Sequence, residues 1–209
     1  LTTGQFNVAV GQSALFDNTT ASNNTAVGYN SLLLNTTGTN NVAVGALALD
    51  ANTTAADNTA VGFNALTSNQ TGQNCTAVGS KALEDNTGSD NTALGYQSLA
   101  NNTSGDDNTA VGRNALRVNT TADNNTAVGN EALGANTTGT QNNAVGSLAL
   151  DANTTGNFNN AFGTNALTTL TTGSNNTALG ESALGLTTTA SNNTAVGYNA
   201  LVANTTGTE

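Results

Sequence analysis

The sequence predicts an all-β protein, a parallel β-solenoid of about twelve coils of 17 residues each. Three observations lead to this fold class. Glycine recurs in steps of 17 residues with one exception, Ala stands two places before each of these glycines, and Leu stands four places after. A constant period of this length along a whole chain is typical of stacked repeat architectures. The range 1–209 is therefore predicted to be a single repeat array, and we expect it to be a segment of a longer one.

The repeat unit is N-T-A-V-G-x-x-A-L-x-x-N-T-T-G-x-x, as in Asn24–Asn40. Positions are numbered from its first Asn, so Ala26 has position 3, Gly28 position 5 and Leu32 position 9. The position-5 glycines are Gly11, Gly28, Gly45, Gly62, Gly79, Gly95, Gly112, Gly129, Gly146, Gly163, Gly180 and Gly197.

Two short β segments are predicted in each coil. The first covers Asn-Thr-Ala-Val and ends at Gly, and the second lies around Ala-Leu and ends at Asn-Thr-Thr-Gly. A helix is disfavoured because Thr, Asn and Gly, which lower helix propensity, fill the sites between the apolar pairs. Gly and Asn accept positive φ at the corners. If each strand pairs with its copy in the next coil, the array is a rod on the order of 55 to 60 Å long.

One coil is a residue short, because the step from Gly79 to Gly95 is 16 residues. The missing residue lies in Asn86–Gly88, where other coils have Asn-Thr-Thr-Gly. A deletion in this corner leaves both predicted strands in register, whereas a one-residue slip within a strand turns every side chain to the other face.

Each coil has two larger apolar side chains, such as Val27 and Leu32, and both are predicted to be buried. Neighbours in a strand point to opposite faces, yet Ala26 adjoins Val27 and the small Ser31 adjoins Leu32. Both faces are therefore apolar or small. We expect one face to fill the interior and the other to contact copies of the same chain, as a homotrimer about the solenoid axis or as a filament. The invariant Ala of position 3 indicates a close contact, either inside the coil or between chains.

Composition excludes several function classes. The chain has no His, three basic residues (Lys81, Arg113 and Arg117), 13 acidic residues and a net charge of −10. Such a chain has nothing to neutralise a phosphate backbone or an anionic bilayer, so nucleic acid and direct membrane insertion are not expected. Without His and with scattered acids, we expect no enzyme, no catalytic residue, no metal ligand and no cofactor besides covalent glycans. No window has the apolar length of a membrane span.

Asparagine forms two columns along the repeat. At position 1 we expect stacked amides that bond to one another or to corner backbone, with Cys75 as a buried substitution. At position 12 the Asn starts a N-x-[ST] sequence and is a candidate for glycosylation. These candidates are Asn18, Asn35, Asn52, Asn69, Asn102, Asn119, Asn136, Asn153 and Asn204. Two interpretations stay open: residues chosen for turn geometry, or an exposed edge that carries or contacts carbohydrate. A second group that fits the same rule is Asn23, Asn74, Asn101, Asn124, Asn175 and Asn192.

The segment Asn24–Leu32 and its relatives in the other coils resemble the head repeats of trimeric autotransporter adhesins and the repeat stalks of tail-fibre-like surface proteins. The resemblance covers nearly the whole chain and implies a left-handed parallel β-roll, a trimer and exposure at the cell surface. The longer repeat and the Asn-Thr-Thr-Gly corners depart from the adhesin pattern.

The function expected from these features is that of a structural fibre or filament subunit, extracellular or at the cell surface, without catalysis. The alternative is an adhesin head or tail-fibre-like binding module. A lesser alternative is an ice-binding solenoid, because Thr occupies position 2 in most coils. That Thr column is interrupted at Val8, Val42, Asn143 and Asn160.

Overall fold

The computed structural model describes residues 3–205 and 207, and regular secondary structure there consists of twelve three-residue β-strands. The strands are β1 (Val8–Val10), β2 (Thr25–Val27), β3 (Val42–Val44), β4 (Thr59–Val61), β5 (Thr76–Val78), β6 (Thr92–Leu94), β7 (Thr109–Val111), β8 (Thr126–Val128), β9 (Asn143–Val145), β10 (Asn160–Phe162), β11 (Thr177–Leu179) and β12 (Thr194–Val196). They form one parallel sheet in which each strand pairs with the strand of the next coil. The predicted parallel β-solenoid is confirmed.

Each strand covers positions 2 to 4, where β-branched Thr and Val flank the small Ala. Ala26 of β2 pairs with Ala43 of β3, and the same positions face each other along the sheet. Beyond the strand, the N–H of Gly28 donates to the carbonyl of Val10 in the preceding coil at 2.8 Å. Branched side chains suit this pleated surface, and alternation turns the central Ala inward.

The second predicted β segment, around Ala-Leu, is wrong. The structure has turns there, with positive φ at positions 7 and 9 of all twelve coils; Asn30 has φ 53° and Leu32 has φ 48°. Such left-handed residues interrupt an extended strand. Coil-to-coil hydrogen bonding continues nevertheless, because the N–H of Leu32 donates to the carbonyl of Ala48 at 3.0 Å and that of Asn30 to the carbonyl of Gln12 at 3.0 Å. The segment therefore keeps the hydrogen bonds of a sheet without its extended backbone.

The interior is a stack of leucines and alanines. Position-9 leucines from Leu32 to Leu184 are fully buried, and so are the position-3 alanines between Ala26 and Ala178. The predicted burial of the position-4 Val is wrong, because alternation sends Val27 outward once Ala26 points inward. The close contact that demands Ala at position 3 thus lies inside the coil.

The short coil leaves the sheet undisturbed, as predicted. Val78 of β5 pairs with Leu94 of β6, sixteen residues later, in the same register as the other strands. The N–H of Leu83 still donates to the carbonyl of Ser98 at 3.1 Å. The deletion is therefore absorbed in the corner at Asn86–Gly88.

The position-5 glycine is required where the chain leaves the strand. Gly28 has φ 143°, a region that residues with a side chain rarely adopt. A Cβ atom at Gly28 would overlap the carbonyl oxygen of Gly45 in the next coil. The coils therefore stack closely only because this column has no side chain.

Candidate functional site

The outward side of the sheet is the first candidate surface. We call it the strand face and define it as the side chains at positions 2 and 4 of β1–β12. Its position-4 column is apolar in every coil, and several members are well exposed: Leu94 is 48 % exposed, Leu179 49 % and Phe162 40 %. The other position-4 side chains from Val27 to Val145 are mostly half-buried. A continuous apolar column thus faces solvent in the single chain.

None of the 13 acidic or three basic residues occupies the strand face. Among the residues that the structure describes, two ion pairs lie outside the strand face, between Lys81 and Glu84 at 3.0 Å and between Arg113 and Glu131 at 2.9 Å. Corner positions 16 and 17 carry acids in successive coils, namely Asp90, Asp106, Asp107 and Asp123. The strand face is therefore an uncharged surface on a strongly acidic rod, which suits contact with another uncharged surface.

The two Asn columns converge on one carbonyl in most corners. In the coil Asn24–Asn40, the Nδ2 atoms of Asn24 and Asn35 donate to the carbonyl of Gly38 at 2.9 Å and 3.0 Å. Each column also links coils, because the N–H of Asn41 donates to Oδ1 of Asn24 at 2.9 Å and Nδ2 of Asn52 donates to Oδ1 of Asn35 at 2.9 Å. The predicted amide ladder at position 1 is confirmed, and position 12 forms a second one.

Of the two interpretations of position 12 that the sequence leaves open, the exposed edge is wrong. Asn18, Asn35, Asn52, Asn69, Asn102, Asn119, Asn136 and Asn153 are buried, and Asn204 is partly exposed. Their side chains turn inward because the corner carbonyl needs a donor; Nδ2 of Asn136 donates to Gly139 at 2.9 Å. A sugar on Nδ2 would have to displace this bond. The second group, from Asn23 to Asn192, is exposed, and glycosylation itself stays a prediction.

One substitution in the sequence signals the inward direction of position 12. Leu170 occupies this column and is fully buried. The preceding Asn153 then has a buried Oδ1 with no hydrogen-bond partner, because Leu170 has no amide to donate to it. Asn52 has an unpartnered Oδ1 as well, where Asn69 bonds only to Gly72. An apolar residue in a polar column was the available indication that the column faces the interior.

Cys75 replaces Asn in the first ladder and is buried, as predicted. Its thiol donates to the carbonyl of Gly88 at 3.3 Å, which is the bond that an Asn amide makes in other coils. Burial raises the pKa of the Cys75 thiol to about 11. A protonated, enclosed thiol is a poor nucleophile, so the residue serves as an interior side chain.

A surface cavity of about 310 Å³ lies beside Gly134, where this column has no side chain. Arg117, Glu131 and Asp151 line it, and burial raises the pKa of the Asp151 carboxyl. Within residues 3–205 and 207, no group of three or more His, Cys, Asp or Glu side chains is arranged to hold a metal ion. The same residues include no helix of the length and apolarity that crossing a membrane requires.

No protein-family model, curated protein or solved structure matches the chain. The fold by itself defines the class, which is a parallel β-solenoid repeat protein with one short strand per coil.

Proposed function

We propose that the chain is a structural rod that associates with copies of itself through the strand face, as a subunit of an extracellular or cell-surface fibre. The observation that carries the proposal is the uncharged apolar column on the strand face of a chain with net charge −10. Two such chains repel each other wherever their acids meet, and this repulsion is screened beyond ~8 Å at physiological salt. The strand face is the surface where copies approach without that repulsion.

The dimensions of the strand face suit an interface. Twelve strands at ~4.8 Å and three residues at ~3.3 Å make a face of roughly 55 by 10 Å. Its planar area of roughly 550 Å² is of the order that a specific interface buries on each partner, about 800 Å². The extracellular location and a coaxial trimer rest on the resemblance to adhesin head repeats, and a filament is the other arrangement that this face permits.

Charge placed on the strand face tests the proposal. The double variant Val111→Asp, Val145→Asp places two carboxylates on the strand face, at side chains that are outward and half-buried. We expect the wild type to sediment as an oligomer and this variant as a monomer in sedimentation velocity. The matched control is Val118→Asp with Val202→Asp, which adds the same charge outside the strand face. The control should remain an oligomer. A wild-type chain that sediments as a monomer at every concentration would contradict the proposal.

The second candidate function, a binding module of an adhesin or tail fibre, is favoured by exposed aromatic side chains next to the strand face. Tyr29, Phe63 and Tyr96 are each about half exposed at position 6. Binding of a ligand that depends on these residues would favour this function over a purely structural one.

A further inference from the structure

Aromatic and small side chains alternate along position 6 in the five coils from Asn24 to Asp107. Tyr29, Phe63 and Tyr96 are 50 %, 50 % and 47 % exposed. Between them stand Ala46 and Ser80 in the intervening coils. We call these five residues the aromatic row.

The aromatic row is held in register by the backbone. The carbonyl of Tyr29 accepts the N–H of Leu47 at 2.9 Å, and that of Phe63 accepts the N–H of Lys81 at 2.8 Å. The carbonyl of Tyr96 accepts the N–H of Asn114 at 3.0 Å in the same way. Successive aromatic residues are therefore two coils apart, or ~10 Å at the spacing of adjacent strands.

The small members of the row leave notches between the rings. Among the strand-face neighbours of the row, Val27, Val61 and Val78 are half-buried. Val44 beside Ala46 and Leu94 beside Tyr96 are exposed. A ligand on the aromatic row would therefore meet aromatic rings separated by the small side chains of Ala46 and Ser80, beside an uncharged apolar column.

The charge around the row limits the kind of ligand. Positions 2, 4 and 6 carry no charged residue in the five coils from Asn24 to Asp107. Nearby, Lys81 is already paired with Glu84 at 3.0 Å. A nucleic acid or an anionic polysaccharide would find no free cation there and would be repelled by a chain of net charge −10. The ligand that fits is neutral.

The two-coil step limits the shape of the ligand. In an extended β-1,4-linked pyranose chain alternate sugars face the same way, so the chain repeats every two sugars. Sugar rings present apolar C–H faces, and these are attracted to the negative faces of aromatic rings. The hydroxyls of Tyr29 and Tyr96 have no hydrogen-bond partner within the described part of the chain and are free to bond to sugar hydroxyls.

We propose that the aromatic row binds a neutral, extended β-1,4-linked polysaccharide along the rod axis, with alternate sugars on Tyr29, Phe63 and Tyr96. The site is confined to these five coils, because position 6 is polar or charged in the next five coils, from Arg113 to Glu181. Tyr198 has the same position in the coil of β12, but position 6 two coils before it is Thr164, which is not aromatic. The site does not depend on association through the strand face.

The test is depletion of the full chain from solution by microcrystalline cellulose and by chitin, with cellohexaose titrated calorimetrically as the soluble probe. An α-1,4-glucan, whose chain curls, is the control ligand. Phe63→Ala removes the middle ring and is expected to weaken binding about tenfold. The triple variant Tyr29→Ala, Phe63→Ala, Tyr96→Ala should abolish it. Phe158→Ala removes an equally exposed aromatic ring outside the row, Tyr198→Ala removes a more exposed one, and both should leave binding unchanged.

Binding to only one of the two polymers, cellulose or chitin, identifies the sugar that the row prefers and supports the proposed site. Failure to bind either β-1,4 polymer, or binding that the triple variant retains, would overturn the proposal. The proposal would also be overturned if the wild type bound no glycan and Phe63→Ala lost self-association, because the row would then be a contact between copies. The glycan assay is repeated with Val111→Asp, Val145→Asp, so that failure of strand-face association is read separately from failure of this site.

Discussion

The backbone N–H of Asn41 donates to Oδ1 of Asn24, one coil earlier, at 2.9 Å inside the rod. The same bond joins successive coils along most of the position-1 column. In a thin interior where most coils bury one large apolar side chain, each buried amide satisfies backbone groups that water cannot reach. Polar residues therefore form part of the core in this protein.

Removal of one ladder amide should destabilise the rod. Nδ2 of Asn125 donates to Gly139 at 2.9 Å, and its Oδ1 accepts the N–H of Asn142 at 3.0 Å. Asn125→Ala leaves the N–H of Asn142 buried and unpaired, whereas the carbonyl of Gly139 keeps the amide of Asn136 as a donor. We therefore expect a loss of about 1 to 3 kcal/mol in the free energy of unfolding by urea. Asn130→Ala, on the outside of the same coil, is the control and should change it by less than about 0.5 kcal/mol. Equal effects would show that the amide is not structural.

The break in the second ladder at Leu170 should be repairable. Leu170→Asn supplies a donor to the unpartnered Oδ1 of Asn153, which offsets the apolar burial that is lost. We expect the free energy of unfolding of Leu170→Asn to lie within about 1 kcal/mol of the wild-type value. The same substitution at the buried position-9 residue, Leu167→Asn, should cost at least about 3 kcal/mol, because no ladder receives its amide. Similar unfolding midpoints for the two variants would refute the second ladder.

The left-handed backbone at position 7 should be sensitive to branching at Cβ. Gln97 has φ 52°, a conformation that Asn and Gly adopt readily and Val does not. Thermal unfolding should show Gln97→Val destabilised by about 1 to 2 kcal/mol and Gln97→Gly stabilised or unchanged. If Val were tolerated as well as Gly, the segment would have to be an ordinary strand.

The buried thiol should make stability depend on alkaline pH. The pKa of Cys75 rises from 9.0 to about 11 on folding. Above pH 9 the unfolded state therefore holds fewer protons than the folded state, and stability falls as pH rises toward 11. The full loss is about 2 to 3 kcal/mol. Cys75→Asn removes the thiol and puts the ladder amide in its place, so this part of the decline in stability should disappear. The measurement is the free energy of unfolding by urea at pH 8 and at pH 11, for the wild type and the variant. If the variant lost as much stability between pH 8 and pH 11 as the wild type, the loss would come from groups other than Cys75.

The periodicity of Gly, Ala and Leu was enough to predict a parallel solenoid and to place the short coil's deletion at Asn86–Gly88. It did not reveal that Leu32 and its relatives have positive φ, because Leu ordinarily avoids that conformation and only the stacked geometry requires it. The direction of Val27 was ambiguous, since Ala26 and Val27 are both apolar and their neighbours do not distinguish the two faces. Asn-Thr-Thr at position 12 suits a turn and therefore predicts an outer corner, although Leu170 in that column already indicates the interior.

Hydroxyl-radical footprinting of the native protein tests the burial of the strand face between copies most directly. In the single chain, Leu94 and Leu179 on the strand face are 48 % and 49 % exposed, and Leu34 and Leu186 outside it are 42 % and 53 % exposed. If copies pack on the strand face, Leu94 and Leu179 should be oxidised several-fold more slowly than Leu34 and Leu186. Equal oxidation of all four leucines would contradict association through this face.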